Sequence, residues 1–287
     1  MTGESSARRA WRVTEPLHAM IYFVPEAPER YAALGIDPAA GYFASRGAVF
    51  GTTGTAAVIA TFYNFNPDLV RRVLPAAWAR TSPEAVLAAR TDAADAALKR
   101  GLGDAVHSPE VAEAAVLARR AAESAAAFPQ GRALYAAHAE LPWPHEPHLQ
   151  LFHAQTLLRE FRGDGHVAAL LHAGVTGLEA VVLHVAAGEA DGRFLRVTRG
   201  WSREQWAGAI EGLRSRGLLA GGEPVLSDAG RALRAEVEAV TDRLAEPAYA
   251  ALGEEGRVRL AELTRPLSRA IVKAGMLDPA TIVKPRP

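Results

Sequence analysis

The two segments that most constrain the fold each begin with Ser-Pro-Glu, at residues 82–84 and 108–110. Serine caps a helix N-terminus, proline is tolerated in the first turn, and glutamate complements the helix dipole there. Each start is followed by a long alanine-rich run, and alanine is the strongest helix former. Similar apolar runs occupy most of residues 13–175, apart from a Pro-rich break at 139–148, so the pattern predicts a multi-helix bundle and an all-α fold.

Both ends of this bundle carry boundary signals. We expect the first helix to begin at Thr14 as its N-cap, with residues 1–12 forming a disordered tail. Near the other end stands "RGDGH", where Gly163 is expected to end one helix in the left-handed conformation and Asp164 to cap the next. The stretch therefore predicts a helix–helix joint.

Charge and cysteine content exclude several classes of protein. Lys+Arg and Asp+Glu both number 32, so the net charge is zero and gives no global attraction to nucleic acid or anionic membranes. There are no cysteines, which excludes disulfides, thiolate metal sites and a cysteine nucleophile. The start of the chain has no apolar signal region, and no run of about 18 apolar residues occurs. We expect a cytoplasmic protein without a membrane partner.

The character of the chain changes over residues 176–287. Two short helical segments are followed by a longer one that starts with Ser202 as N-cap and ends at Gly217. A tight turn with a short strand and a new helix beginning near Ser227 come next. Helix, helix, helix, hairpin and helix in this order predict a winged helix with a short β-wing.

Two family resemblances rest on these residues. The stretch "LRSRGLLAGGEPVLSDAGRALRAEVEAVTDRLAEPAYAALGEEG" resembles the wing and dimerisation helices of MarR-type regulators. The stretches "LHAMIYFVPEAPERYAALG", "GYFASR", "TFYNFNP" and "REFRGDGHVAAL" resemble an actinobacterial family described as helix-turn-helix or SalK-like. The first resemblance implies a homodimer and a third helix that enters the DNA major groove.

The charges of this module favour DNA binding only weakly. Eight arginines face six carboxylates between residues 188 and 235, and the wing carries Glu223 where a regulator usually carries a basic residue. Arg199 and Arg203 belong to a basic strip before the third helix and are the candidates for contacts with phosphates. A solvated arginine face is the alternative.

Polar residues on the first bundle helices form candidate sites. Glu15, His18 and Tyr22 share one line of a helix and offer an acid, a base and a hydroxyl, unless the histidine and tyrosine are simply buried with satisfied hydrogen bonds. Arg46, on an apolar helix between glycines, either pairs with a buried carboxylate or binds an anion. Asn64 either contacts a ligand or caps the turn that contains it.

The "REFRGDGH" stretch has more charged residues than a joint requires. Arg159 and Arg162 are one turn apart and predict a fork for a carboxylate or phosphate, with salt bridges to Asp164 and Glu160 as the alternative. His166, expected in the first turn of the next helix, is predicted to carry a neutral imidazole. No metal-ligand set, Gly-rich phosphate loop or nucleophile motif is present, so neither a cofactor nor a metal is expected.

We therefore expect a small-molecule-binding protein or a cofactor-independent acid–base enzyme of bacterial specialised metabolism. Its ligand is expected to be anionic, and its winged helix serves packing or homodimer formation. The candidate residues are, for ligand binding, Arg46, Arg159, Arg162, Tyr22, Asn64 and Glu15 and, for proton transfer and its orientation, His166, His18 and Asp164. The alternative is a MarR-type, ligand-responsive regulator that contacts DNA through Arg199 and Arg203.

Overall fold

The computed structural model describes residues 4–222 and 224–277, and it is all-α with one short β-hairpin. This confirms the fold class expected from the sequence. The helices are α1 (Ser6–Ala19), α2 (Glu26–Ala33), α3 (Pro38–Gly47), α4 (Thr55–Thr61), α5 (Pro67–Trp78), α6 (Pro83–Leu102), α7 (Pro109–Ser124), α8 (Ala133–Ala139), α9 (Pro147–His172), α10 (Gly177–Ala186), α11 (Gly192–Thr198), α12 (Arg203–Ser215), α13 (Asp228–Ala245) and α14 (Gly253–Lys273). The strands are β1 (Leu219–Ala220) and β2 (Val225–Leu226), and short 3-10 turns lie at Met20–Tyr22, Ala48–Phe50, Gly103–His107, Ala125–Ala127 and Glu246–Leu252.

The larger of two hydrophobic cores holds the bundle together. It is formed by α1–α9 and, at the end of the chain, by α14, whose residues Leu260, Leu267 and Ile271 are buried against this core. Helix α14 packs along α1 and α7. The resemblance placed the terminal helices in a dimer interface, but α14 buries its apolar face inside its own chain; a homodimer stays a prediction.

The smaller core belongs to the winged helix. Capping boxes begin α10 at Thr176 and α12 at Ser202, because the N3 Glu or Gln side chain accepts from the cap's own N–H. The hairpin pairs β1 with β2 antiparallel, with Leu219 opposite Leu226. Both leucines pack with Leu213 of α12. The wing residue Glu223 lies outside the described residues.

Helix α9 connects the two cores and corrects the expected joint. It is continuous over 26 residues, about 39 Å, and Gly163 lies inside it in helical geometry. A glycine costs a helix interior only about 1 kcal/mol, and burial of Phe161 in one core and Leu170 in the other outweighs that. The "RGDGH" residues therefore point in several directions around one buried helix.

Asp164 and Gly165 have structural roles in this helix. Asp164 does not cap a following helix; its Oδ2 accepts a hydrogen bond from the N–H of Tyr135, 2.9 Å away, at the start of α8. A Cβ on Gly165 would lie 2.9 Å from Nη1 of Arg132, which donates to the carbonyl of Phe161. The absent side chain therefore gives Arg132 the room to reach between α9 and α13.

The start of the chain also differs from expectation. Helix α1 begins at Ser6, capped by the Ser5 hydroxyl, and not at Thr14. Ala7 and Ala10 are buried in the bundle core, so residues 6–12 are an ordered helix where a tail was expected. Small buried alanines carry too weak a hydrophobic signal to predict this packing. Within the described part of the chain, no single helix is long and apolar enough to cross a bilayer; only α9 and α10 together, bent by 96° where they meet, satisfy that test.

Candidate functional site

A cleft of about 820 Å³ lies between the bundle and the winged helix. Its size is in the range of small-molecule sites. One wall is formed by Glu15, Ala19, Tyr22, Phe23, Pro38, Ala39, Tyr42, Phe43, Asn64, Phe65, Leu69 and Arg159, and the other by His166, Leu170, Val175, Ala180, Val181, Leu183, His184, Glu189, Phe194, Leu195, Val197, Thr198, Arg199, Leu233, Arg234, Val237 and Glu238.

Glu15 and Arg159 form an ion pair on the bundle wall. The Arg159 guanidinium also lies 5.5 Å from the ring centroid of Tyr22, which lines the same wall. The structure thus brings Arg159 of the "REFRGDGH" stretch together with Glu15 and Tyr22, which were predicted from one line on the first helix. Because Arg159 already has a carboxylate partner, it is not a free anion-binding group.

Arg46 and Arg162 do not reach the cleft lining. Arg46 forms a bidentate pair with Glu160, with Nη2–Oε2 at 2.7 Å, so the buried-carboxylate alternative applies. Burial alone would raise the pKa of Glu160, but Arg46 outweighs it and lowers that pKa to about 2. Arg162 turns towards α13 and α1, where its guanidinium is 2.8 Å from Asp242 and 4.3 Å from the ring of Trp11.

The predicted fork of Arg159 and Arg162 therefore does not exist. Arg159 pairs with Glu15 on one side of α9, whereas Arg162 pairs with Asp242 and, at 3.4 Å, with Glu238 of α13. The two positions are only about 60° apart around the helix, but each side chain meets a different neighbouring helix, and each neighbour brings its own carboxylate. Two arginines one turn apart were insufficient to define an anion site.

His166 lines the cleft, and its hydrogen bonds define its tautomer. Its Nδ1 lies 2.9 Å from Oγ1 of Thr241, and the Thr241 hydroxyl donates to the carbonyl of Val237 at 2.7 Å. Because that hydroxyl proton is used, Nδ1 must be the donor, which leaves Nε2 as a bare acceptor. Burial lowers the pKa of His166, so its imidazole is neutral, although the expected cause was a helix terminus.

A second imidazole stands on the winged-helix wall. His184 Nδ1 is 2.9 Å from Oε2 of Glu189, which also pairs with Arg234 at 2.6 Å. The hydrogen bond from His184 comes first among the causes that lower the pKa of Glu189 to about 2. This carboxylate therefore ties α10, the loop after it and α13 together as an ionised group.

His18 and Asp164 lie outside the cleft lining. His18 is completely buried behind Tyr22, stacked on Phe152 with ring centroids 5.2 Å apart. Its Nε2 is 3.1 Å from Nη2 of Arg90. Asp164 faces α8, where it accepts from Tyr135. Neither side chain is placed to exchange or orient a proton in the cleft.

Arg199 lines the cleft, although the sequence made it a candidate for contacts with DNA phosphates. Its guanidinium stacks on Phe65, 4.3 Å from the ring centroid, and it lines the cleft. Burial lowers the pKa of Arg199, yet a guanidinium stays charged. Throughout residues 4–222 and 224–277, no carboxylate forms an ion pair with it. It faces inward, so it is not positioned for DNA phosphates.

The turn around Asn64 links the bundle wall to the helix-turn-helix. Trp201 donates its Nε1–H to the Asn64 carbonyl at 3.0 Å, and Asn66 Nδ2 donates to the carbonyl of Gly200 at 3.0 Å. Asn66 also caps α5, because its side-chain oxygen accepts from the N–H of Asp68 at 2.9 Å. The buried Oδ1 of Asn64 has no hydrogen-bond partner among the described residues.

The exposed face of α12 carries nearly balanced charge. Arg203, Glu204 and Glu211 are exposed, and Arg214 is held by Glu211 and by the wing carbonyl of Gly222. Arg216, just beyond the helix, pairs with Glu179 at 3.0 Å. Only Arg203 of these arginines lacks a carboxylate partner among the described residues, so phosphate attraction at this face is weak.

The fold and cleft define a class: an all-α protein in which a helical bundle and a DNA-binding-type winged helix share a cleft of small-molecule size. The sequence profile of a helix-turn-helix family matches residues 7–278, and the chain belongs to this family. No curated protein and no solved structure matches the chain.

Proposed function

We propose that the cleft binds a small organic anion, with the Arg199 guanidinium as its counter-ion. One observation carries this proposal: Arg199 is a desolvated cation on the cleft wall without a carboxylate in the described residues. The other two arginines of the lining, Arg159 and Arg234, each have one, in Glu15 and Glu189. A cation that is partly removed from water is costly unless paired, so the missing partner is expected to be the ligand.

The remaining lining supports a ligand with an apolar body. The rings of Phe65 and Tyr42 lie 5.3 Å apart beside Arg199, and Phe194 and Val197 stand on the winged-helix wall. The acceptor nitrogen of His166, Nε2, favours a donor group on the ligand. An acid head against Arg199 and an apolar body against these side chains match the cleft chemistry.

A panel of acids tests the proposal directly. Benzoate, cinnamate, indole-3-acetate and hexanoate are compared with their uncharged methyl esters by calorimetry and thermal unfolding of the full chain. At least one acid is expected to bind, whereas its ester does not. Arg199→Leu is expected to abolish binding, and Arg203→Leu, four residues on and exposed, to leave it unchanged. Equal affinity in the wild type and Arg199→Leu would contradict the proposal.

Acid–base catalysis is the more specific form of this function. It is supported by His166, which lines the cleft and whose Nδ1–H tautomer leaves Nε2 able to accept a proton. Each acid that binds is incubated with the protein and analysed by mass spectrometry. His166→Gln is expected to stop turnover while the acid still binds; turnover that survives the substitution would remove His166 as the base.

A ligand-responsive DNA-binding regulator is the second candidate, favoured by the family match and by the Asn64–Asn66 turn. That turn contacts the cleft and also hydrogen-bonds the residues that precede α12, so a ligand has a route to the helix-turn-helix. Fluorescence anisotropy with DNA upstream of the gene, at 50 and 200 mM salt, tests this candidate. Binding that falls with salt, weakens in Arg203→Leu and responds to an acid from the panel supports it. No binding at either salt concentration excludes it.

A further inference from the structure

Helix α11 is packed unlike the other helices of the protein. None of its seven residues is buried, whereas each of the other helices that the structure describes has at least one buried residue. Its main neighbour is α10, where a Cβ on Gly192 would lie 3.1 Å from the side chain of Val185. A short helix in a protein depends on apolar burial for most of its stability, so α11 is held weakly.

The apolar side chains of α11 belong to the cleft and not to either hydrophobic core. The residues of this helix that line the cleft are Phe194, Leu195, Val197 and Thr198. Phe194 is 46% exposed and Val197 is 59% exposed. Single exposed apolar side chains are normal on a protein surface, but an amphipathic helix usually buries its apolar side. Here the space beside that side is the cleft.

A fixed point lies near each end of α11. Before the helix, Glu189 pairs with Arg234 of α13 at 2.6 Å. After the last helical residue, the carbonyl of Arg199 accepts a hydrogen bond from the N–H of Asn66 at 2.9 Å. Residues 190–198 lie between these two points, so a tilt of α11 towards the cleft need not break either contact.

Helix α11 also ends at the counter-ion that we assign to the cleft ligand. Arg199 is the C-cap residue of this helix, and its guanidinium lies 4.3 Å from the ring centroid of Phe65 on the bundle wall. An acid bound to Arg199 is therefore close to the exposed side chains of the same helix. Covering Phe194 and Val197 with the apolar body of that acid removes apolar surface from water, which is favourable.

We propose that α11 is a lid that closes over the bound acid and packs Phe194 and Val197 against its apolar body. The inference rests on the proposed binding of an acid at Arg199. In the free protein the lid opens often, because little buried apolar surface holds it. In the complex the ligand supplies the apolar contacts, and the closed lid shields the pair of acid and guanidinium from water and slows dissociation.

Hydrogen exchange of the full chain tests the lid with and without an acid of the panel. In the free protein, the amides of residues 193–199 are expected to exchange at least about tenfold faster than those of α10 and α12. A saturating acid is expected to slow them by about tenfold or more, because opening then uncovers the bound ligand.

The outcomes separate the lid from the proposed function. If α11 of the free protein exchanges as slowly as α10, the lid is wrong whatever the acids do. If an acid binds in calorimetry but leaves the exchange of α11 unchanged, the proposed function stands and the lid is refuted. If no acid of the panel binds, both proposals fail.

Serine substitutions at matched sites test the contact itself. Phe194→Ser is expected to weaken binding of the acid by about fivefold and Val197→Ser by about threefold, mainly through faster dissociation. The controls are Phe128→Ser and Val116→Ser, whose side chains are 47% and 66% exposed but lie outside the cleft lining. All four variants are expected to keep the thermal midpoint of the wild type. Unchanged dissociation in Phe194→Ser, or an equal loss in Phe128→Ser, contradicts the lid.

Distances between spin labels distinguish closure of α11 from a movement of the whole winged helix. The chain has no cysteine, so labels attach only at introduced positions. Arg193→Cys, on α11 outside the cleft lining, is paired with Glu29→Cys of α2, and Arg203→Cys of α12 replaces Arg193→Cys in the control pair. The acid is expected to narrow the distance distribution of the first pair and to leave the control pair unchanged. Equal changes in both pairs, or no change in either, overturn the lid.

Discussion

The bundle and the winged helix differ in how their charged side chains are buried and paired. In the bundle, Glu160 and Arg90 are buried, and of these two charges Glu160 is neutralised, by the nearly buried Arg46. In the winged helix, pairs such as Arg231 with Asp228 lie at the surface, where solvent screens them. A buried charge is costly unless a group of opposite charge pairs with it, whereas a surface pair contributes little to the free energy of unfolding. Breaking a charge pair is therefore expected to cost more stability in the bundle than at the surface of the winged helix, which is held mainly by its apolar core.

The largest effect is expected from breaking the buried pair. Glu160→Gln leaves Arg46 without its carboxylate and is expected to lower the free energy of unfolding by about 3–5 kcal/mol. Urea unfolding at pH 7.5 measures this. The surface control is Asp228→Asn, whose fully exposed side chain predicts an unchanged midpoint. Equal effects of the two substitutions would remove the contrast between the regions.

The same pair predicts a pH dependence. The pKa of Glu160, about 2, lies below the ordinary 4.5 because Arg46 outweighs the opposing effect of burial. The stabilisation is therefore present at neutral pH and is lost as pH falls from about 4.5 towards 2. In Glu160→Gln this part of the acid unfolding profile is expected to disappear.

The second prediction asks whether the two cores unfold separately. Leu213→Ala removes a completely buried side chain from the winged-helix core and is expected to cost about 2–5 kcal/mol. Hydrogen exchange should accelerate in α10 and α12 and stay unchanged in α6 and α7. Leu158→Ala, in the bundle core, is the matched control with the reverse pattern. Faster exchange throughout the chain in both variants would show one cooperative unit.

An opposite pH trend is expected at Asp164. Burial raises its pKa from 3.8 to about 6, against the hydrogen bond from Tyr135. A raised carboxyl pKa means that folding favours the protonated form, so its contribution to stability falls as pH rises from about 4 through 6. Asp164→Asn keeps an acceptor for α8 and is expected to be about 1–3 kcal/mol more stable than the wild type at pH 7.5.

The winged-helix control for Asp164 is Glu189, whose pKa of about 2 is lowered by His184 and Arg234. Its stabilisation is lost as pH falls from 4.5, so Glu189→Gln is expected to weaken the protein at neutral pH and not at low pH. Chemical unfolding at pH 4, 5, 6 and 7.5 compares both variants. Matching trends for Asp164→Asn and Glu189→Gln would be incompatible with the assigned shifts.

The smallest effect concerns the contact between the regions. Asn66→Ser keeps the N-cap of α5 but loses the hydrogen bond to Gly200, which is expected to cost about 0.5–1.5 kcal/mol. Asn66→Ala removes the cap as well and is expected to cost about 1 kcal/mol more. Hydrogen exchange at residues 199–205 should rise in both variants. Protection there that is unchanged in Asn66→Ser would show that this contact does not hold the helix-turn-helix.

Local signals predicted the helix starts well. The serine caps at positions 82, 108 and 202 are all confirmed, because an N-cap depends on a side chain and an N–H only two or three residues away. The "RGDGH" joint was wrong for the opposite reason. Its glycine and aspartate satisfy the local rule, but burial of α9 between two cores outweighs the local preference.

Glu15, Tyr22, Asn64, Arg159 and His166, which the sequence offered as separate candidates, all line one cleft. Arg46 and Arg162 do not, because their carboxylates are remote in the chain: Glu160 is 114 residues from Arg46, and Glu238 is 76 from Arg162. Arg199 was missed because a basic strip before a third helix resembles a phosphate-binding surface. The aromatic residues of "TFYNFNP" were the one available signal for a site, and only the fold shows that Phe65 of this stretch lies against the Arg199 guanidinium.

By itself the sequence determined which segments are helical, in what order the elements of the winged helix follow one another, and which polar residues are candidates for a site. These follow from alanine content, capping residues and glycine positions, which act over a few residues. Only the tertiary structure decided which cations are neutralised and which, Arg199 and Arg90, are left without a carboxylate partner in the described residues. Charge pairing depends on distances of a few ångströms between groups that are far apart in the chain, and packing alone sets those distances.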